Sequence, residues 1–151
     1  MKWLLIGYGS ALHEDDRFGR LVAERVRTAI DSGLADVLMA TQLLPEMAEP
    51  IAGARGVIFV DAAADIPPGD LVCRPLAVPD GSNSGSAPAF SHQCTPATLL
   101  ASAQELYGRS PAGWLCLVGG ERFGLGETLS PRVEQAVGPA VTWILDRIAA
   151  G

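Results

Sequence analysis

Three short stretches of this chain are apolar at every position after their first residue: Lys2-Trp3-Leu4-Leu5-Ile6, Gly56-Val57-Ile58-Phe59-Val60 and Gly113-Trp114-Leu115-Cys116-Leu117-Val118. A strand with one face in water alternates apolar and polar residues. Unbroken runs of four to five apolar residues therefore belong to strands covered on both faces, as in a parallel sheet between two helical layers. Each run stops at a turn former or a charge: Gly7-Tyr8-Gly9-Ser10, Asp61 and Gly119-Gly120. A further strand is expected at about residues 36–40.

Helical spacing fills the intervals. Phe18, Leu21, Val22, Val26, Ala29 and Ile30 predict a helix over 18–31, stopping at Ser32-Gly33. Pro45 opens a shorter one with Met47, Ala48 and Ile51 on one face, which Pro50 should shorten or kink. Thr95-Pro96 caps a helix with apolar positions Leu99, Leu100, Ala103 and Leu106. Ser130-Pro131 opens the last, whose Val133, Val137, Val141, Ile144, Leu145 and Ile148 stay in register through Pro139. This alternation predicts one α/β domain over residues 1–151, a three-layer α/β/α arrangement around a mostly parallel sheet of about five strands. Residues 79–91 are rich in Gly, Ser, Pro and Asn and read as a flexible surface loop within it.

Composition narrows the functions. Eleven Lys+Arg against 17 Asp+Glu give a net charge of −6, which supplies no basic patch for a phosphate backbone, so nucleic acid is not an expected partner. No apolar run approaches the ~18 residues of a membrane span. The first run is too short for a signal-peptide core and soon meets Glu14-Asp15-Asp16, which points to the cytoplasm. Cys73, Cys94 and Cys116 lack a C-x-x-C spacing and suggest neither a disulfide framework nor a cysteine zinc site.

Gly7-Tyr8-Gly9 invites a dinucleotide reading, but the third glycine of that fingerprint falls at Leu12, and the acids that follow oppose a pyrophosphate. The bland account of those acids is capping of the helix that follows. Asp16, Asp61 and His92 fall on the carboxyl edge of the expected sheet, where open α/β folds place their chemistry. Two hard oxygens and one imidazole nitrogen suit a divalent transition metal with open positions. Equally, Asp61 can cap the next segment and His92 can hydrogen-bond within its loop. His13 reads as an exposed loop residue, and Cys94 has no feature that would activate a thiol. The chain has no G-x-S-x-G elbow and no H-E-x-x-H helix.

In its motifs the chain resembles the maturation endopeptidases of nickel-iron hydrogenases. The resemblance rests on Gly7-Tyr8-Gly9-Ser10-Ala11-Leu12 followed by Asp15-Asp16-Arg17-Phe18-Gly19, on Gln42 through Ala48, and on Val57 through Ala62. Ser91-His92-Gln93 with Pro96 and Leu99-Leu100, and Phe123 with Gly126-Glu127 and Leu129-Ser130-Pro131, keep the order. It implies an endopeptidase that removes a C-terminal extension from the hydrogenase large-subunit precursor after nickel insertion. Asp16, Asp61 and His92 would be the metal-contacting and catalytic residues. The nickel would come with the substrate, another divalent ion being able to occupy the site in the isolated protein. A noncatalytic assembly factor binding the immature large subunit is the alternative. The chain departs from the family pattern at Ser10, where Asn is usual, and at Arg17, where Gly is frequent. Both are candidate substrate contacts, and Arg17 is also a candidate partner for Asp15.

Overall fold

The computed structural model describes residues 1–77 and 94–151, and strand β1, Trp3–Tyr8, lies inside its sheet. β1 runs parallel to β2 (Ala35–Ala40) on one side and to β3 (Gly56–Ala63) on the other. β3 pairs in parallel with β5 (Ala112–Gly119), and an antiparallel edge strand, β4 (Leu71–Leu76), completes the order β2-β1-β3-β5-β4. Helices α1 (Phe18–Ala29) and α4 (Pro131–Ala150) cover one face, α2 (Ala48–Ala52) and α3 (Pro96–Tyr107) the other.

The apolar runs are buried on both sides because successive side chains point to opposite faces. Leu5, Ile58, Val60 and Cys116 join the core beneath α1 and α4, while Leu4, Ile6, Val57 and Phe59 join the core beneath α2 and α3. Each such side chain fully removed from water contributes about 1.5–3 kcal/mol.

Several elements differ from the sequence expectation. β1 continues through Gly7 to Tyr8, and β3 continues through Asp61 to Ala63, so Asp61 stands two residues inside its strand instead of ending it. Inter-strand pairing carries both past their turn-like residues. β4 was not expected, since Arg74-Pro75 interrupts its apolar pattern; an edge strand tolerates both because, among the described residues, only one side is paired. α1 stops at Ala29, and α2 is a single short turn after a 3-10 turn at Pro45–Met47. Leu106, on the expected core stripe of α3, is 68% exposed in the helix's last turn. Pro139 sits on the exposed side of α4, where water can satisfy the carbonyl its missing N–H leaves free. Thr95 caps α3 as expected, accepting from Thr98 N at 3.1 Å. Among the described residues no helix is long and apolar enough to cross a membrane.

α1 lies unusually close to the sheet. A Cβ on Gly7 would overlap the Gly19 carbonyl oxygen and stand 2.7 Å from the Ala23 Cβ. A Cβ on Gly19 would overlap the Val60 carbonyl and stand 2.7 Å from that of Tyr8. Two facing glycines thus seat the start of α1 on the ends of β1 and β3. Gly19→Ala is expected to cost about 3 kcal/mol, because the obstructing atoms are backbone on both strands. A urea-unfolding midpoint equal to that of the unsubstituted protein would contradict this close approach.

Candidate active site at the carboxyl edge of the sheet

β1 delivers the chain into a turn at the carboxyl edge, and that turn aims Asp16. Gly9 has φ +138, and a Cβ there would overlap the Asp16 carbonyl oxygen. The Ser10 backbone N–H donates to Asp16 Oδ2 at 2.7 Å. Asp16 is therefore fixed by backbone against backbone, a placement that a larger residue at position 9 would destroy.

Asp61 follows from strand alternation. It shares a face with Val57 and Phe59, is paired across the sheet with Leu117, and falls one step past the Gly7–Val60 pair, level with Tyr8. Burial pushes its pKa up to about 7 and the charge of Asp16 adds to the rise, against the opposing pull of hydrogen bonds from the Ala62 backbone and Tyr8. The Tyr8 hydroxyl is driven upward by burial and by the two carboxylates, so it stays a protonated donor beside Asp61. Asp16, Asp61 and Tyr8 line one open cleft of about 590 Å³, whose other wall is Thr41–Pro45 with Cys94 and Thr95.

The structure thus brings Asp16 and Asp61 together. His92 and the expected surface loop 79–91 lie outside the described residues; Cys94 and Thr95, which resume the chain after them, line the cleft. Among the described residues no three His, Cys, Asp or Glu side chains converge to hold a metal ion. Ser10 and Arg17 do not line the cleft. Ser10 Oγ pairs with His13 Nδ1 at 2.7 Å, and His13 is an exposed loop residue as expected. The Arg17 guanidinium donates to the Glu127 carbonyl rather than pairing with Asp15, because Asp15 turns inward. The Cys94 thiol is pushed up by burial and by Glu46, which disfavours a thiolate.

No protein-family model and no curated protein sequence matches the chain. Solved structures do. The hydrogenase maturating endopeptidase HybD from Escherichia coli superposes with a TM-score of 0.77 at 21% identity, over 99% of this chain and 93% of that one. The hydrogenase 2 maturation peptidase from Thaumarchaeota archaeon SCGC_AB-539-E09 gives 0.72 at 24% identity, over 98% of both chains. The [NiFe] hydrogenase maturation protease HycI from Thermococcus kodakarensis gives 0.72 at 21%, over 98% of this chain and 92% of that one. The chain has the fold of the hydrogenase maturation endopeptidases.

Within this maturation-endopeptidase fold, the acidic triplet is not the helix cap that its position suggests. Glu14, Asp15 and Asp16 form a 3-10 turn before α1, and none of them caps the helix through its side chain. Asp15 is fully buried. Its Oδ2 accepts from the backbone N–H groups of Glu121 and Arg122 and from the Ser130 hydroxyl, each at 2.8 Å, and its Oδ1 accepts from Ser130 N at 2.7 Å. Burial alone would raise its pKa, but these four bonds outweigh it and hold the carboxyl below the usual carboxylate range. The loop after β5 is thereby fastened to the turn that carries Asp16. Sequence reasoning missed both Asp15 and Tyr8 as contributors here; the one signal for Tyr8 is a hydroxyl between two glycines at a buried strand end.

Two outcomes follow. Asp15→Asn puts an amide donor where donors already converge, and is expected to cost about 3–5 kcal/mol in urea unfolding. Asp61 has the opposite sign. Its folded pKa of about 7 lies above the ordinary value of roughly 3.9, so folding loses stability as pH rises through that window. Asp61→Asn should therefore raise the unfolding free energy in urea at pH 8 by on the order of 2 kcal/mol, and leave it nearly unchanged at pH 4. Equal shifts at both pH values would show that the carboxyl is not perturbed.

Proposed function

We propose that this chain is an endopeptidase of nickel-iron hydrogenase maturation, acting in the cytoplasm. It removes the C-terminal extension of a large-subunit precursor after nickel insertion and reads that nickel through Asp16, Asp61 and His92. The observation that carries the reading is the pair Asp16 and Asp61 in one open cleft at the carboxyl edge of a sheet with this fold.

The electrostatics support a dication between these carboxylates, which in this reading arrives with the substrate. Asp61 is ionised only against burial and against Asp16. A dication facing both carboxylates removes that repulsion, so the pair gains most when the ion enters. Two oxygen donors with an imidazole leave coordination positions for the substrate's own ligands. Hydrolysis consumes one water, breaks the peptide C–N bond and releases a carboxylate and an amine; the substrate's metal, held beside the scissile carbonyl, would polarise it. Asp16 and Asp61 bind and orient, while Tyr8 holds a proton next to Asp61.

The test is the intact mass of a cognate large-subunit precursor, nickel-loaded or nickel-free, before and after incubation with this protein. Shortening at the C-terminus of the nickel-loaded form alone is expected. Asp16→Asn, Asp61→Asn and His92→Ala should each slow it by at least about 100-fold, the size of losing one ligand or charge-stabilising group. Complex formation with the precursor and no shortening would replace this reading with that of a noncatalytic assembly factor.

A further inference from the structure

Two of the three cysteines, far apart in the chain, meet across the sheet edge. Cys73 on β4 and Cys116 on β5 are directly opposed in the antiparallel register, and their sulfurs lie 3.4 Å apart and share a hydrogen bond. Cys116 is buried in the core beneath α1 and α4, whereas Cys73 packs on its rim and is partly open to solvent. Directly opposed residues of an antiparallel pair have Cα atoms about 4.5–5.5 Å apart, inside the range a disulfide needs. Closing the sulfurs to the bonding distance of about 2.05 Å takes a rotation of the side chains and no movement of the strands.

We propose that Cys73 and Cys116 form a dithiol–disulfide site that reacts reversibly with small-molecule disulfides and, when oxidised, covalently joins the edge strand β4 to β5. The geometry orders the steps. Cys73 is the accessible sulfur, and its hydrogen bond with Cys116 lowers its pKa against the effect of burial. Its thiolate attacks one sulfur of the reagent disulfide and expels the first thiolate, leaving a mixed disulfide on Cys73. Cys116, held protonated by the bond with Cys73 and by burial, loses that coupling once Cys73 is capped. It then attacks Cys73 Sγ and expels the second thiolate, which leaves as a thiol carrying the proton that Cys116 gives up. In sum, two protein thiols are oxidised and one reagent disulfide is reduced to two thiols. The bond closes a covalent loop that contains all of α3. Cys94 lies across the molecule in the cleft and takes no part.

The full chain is incubated under native conditions at pH 8 with oxidised glutathione, alkylated, and analysed by intact mass and tandem peptide mapping. The expected product is lighter by about 2 Da before alkylation and carries alkyl on Cys94 alone. Its Tm should rise by about 5–10 °C, as for a loop of this length, and return on treatment with dithiothreitol. Cys73→Ser, at the rim, should abolish both changes, and Cys94→Ser should leave both intact. Cys116→Ala, where it folds, should stop the reaction at a stable glutathione adduct on Cys73. In the unsubstituted protein, a lasting glutathione adduct at Cys73, a bond involving Cys94, or three alkylated thiols after prolonged incubation would each overturn the proposal.

Discussion

A carboxylate taken fully out of water must find its compensation in hydrogen bonds, and Asp15 finds four. That requirement organises the carboxyl edge of the sheet. The donors come from residues more than a hundred positions away, so satisfying one buried charge closes the loop between β5 and α4 onto the turn between β1 and α1. Backbone bonds complete the closure, with Asp15 N donating to Arg122 O and Glu14 N to Gly126 O. Asp16 inherits its position from this arrangement. Its neighbour is clamped from within, its own backbone is pressed against Gly9, and its side chain is left facing the cleft.

Asp61 reaches the same cleft by a different rule. Alternation along a strand buried on both faces sends Val57 and Phe59 into one core and requires Asp61 to follow them. The carboxyl is consequently flanked by Leu117 and Tyr8 and is half-buried in the lining of the cleft. The strand that stabilises the fold through its apolar residues therefore spends part of that stability on one polar residue near its end, a pattern common where active sites are built on sheet edges.

Much of this was legible from the residues alone. Runs without a polar residue have few alternatives to doubly covered strands, which is why the three-layer architecture and the mostly parallel sheet could be inferred. Asp16 and Asp61 were legible because one lies in the turn after such a run and the other is the first polar residue to follow one. Asp15 was not, because two adjacent aspartates are chemically identical in sequence and only the direction of the turn gives one to the core and the other to the cleft. β4 escaped notice because its Arg74-Pro75 reads as a breaker until an unpaired edge is available to hold it. The meeting of Cys73 with Cys116 depends on that unseen strand, so no spacing rule could have found it.

The same edge strand bears on how the protein behaves in company. A sheet ends in rows of free donors and acceptors that invite a neighbour's backbone, and the invitation is strongest where the outermost strand is long, flat and apolar. β4 is short, presents exposed Arg74 and Pro75, and lacks a donor at the proline. At the opposite edge, β2 exposes Asp36 beside Lys2. Among the described residues both margins carry the features that discourage ribbon-to-ribbon association, so crowding at high concentration should add no neighbour's strand to either.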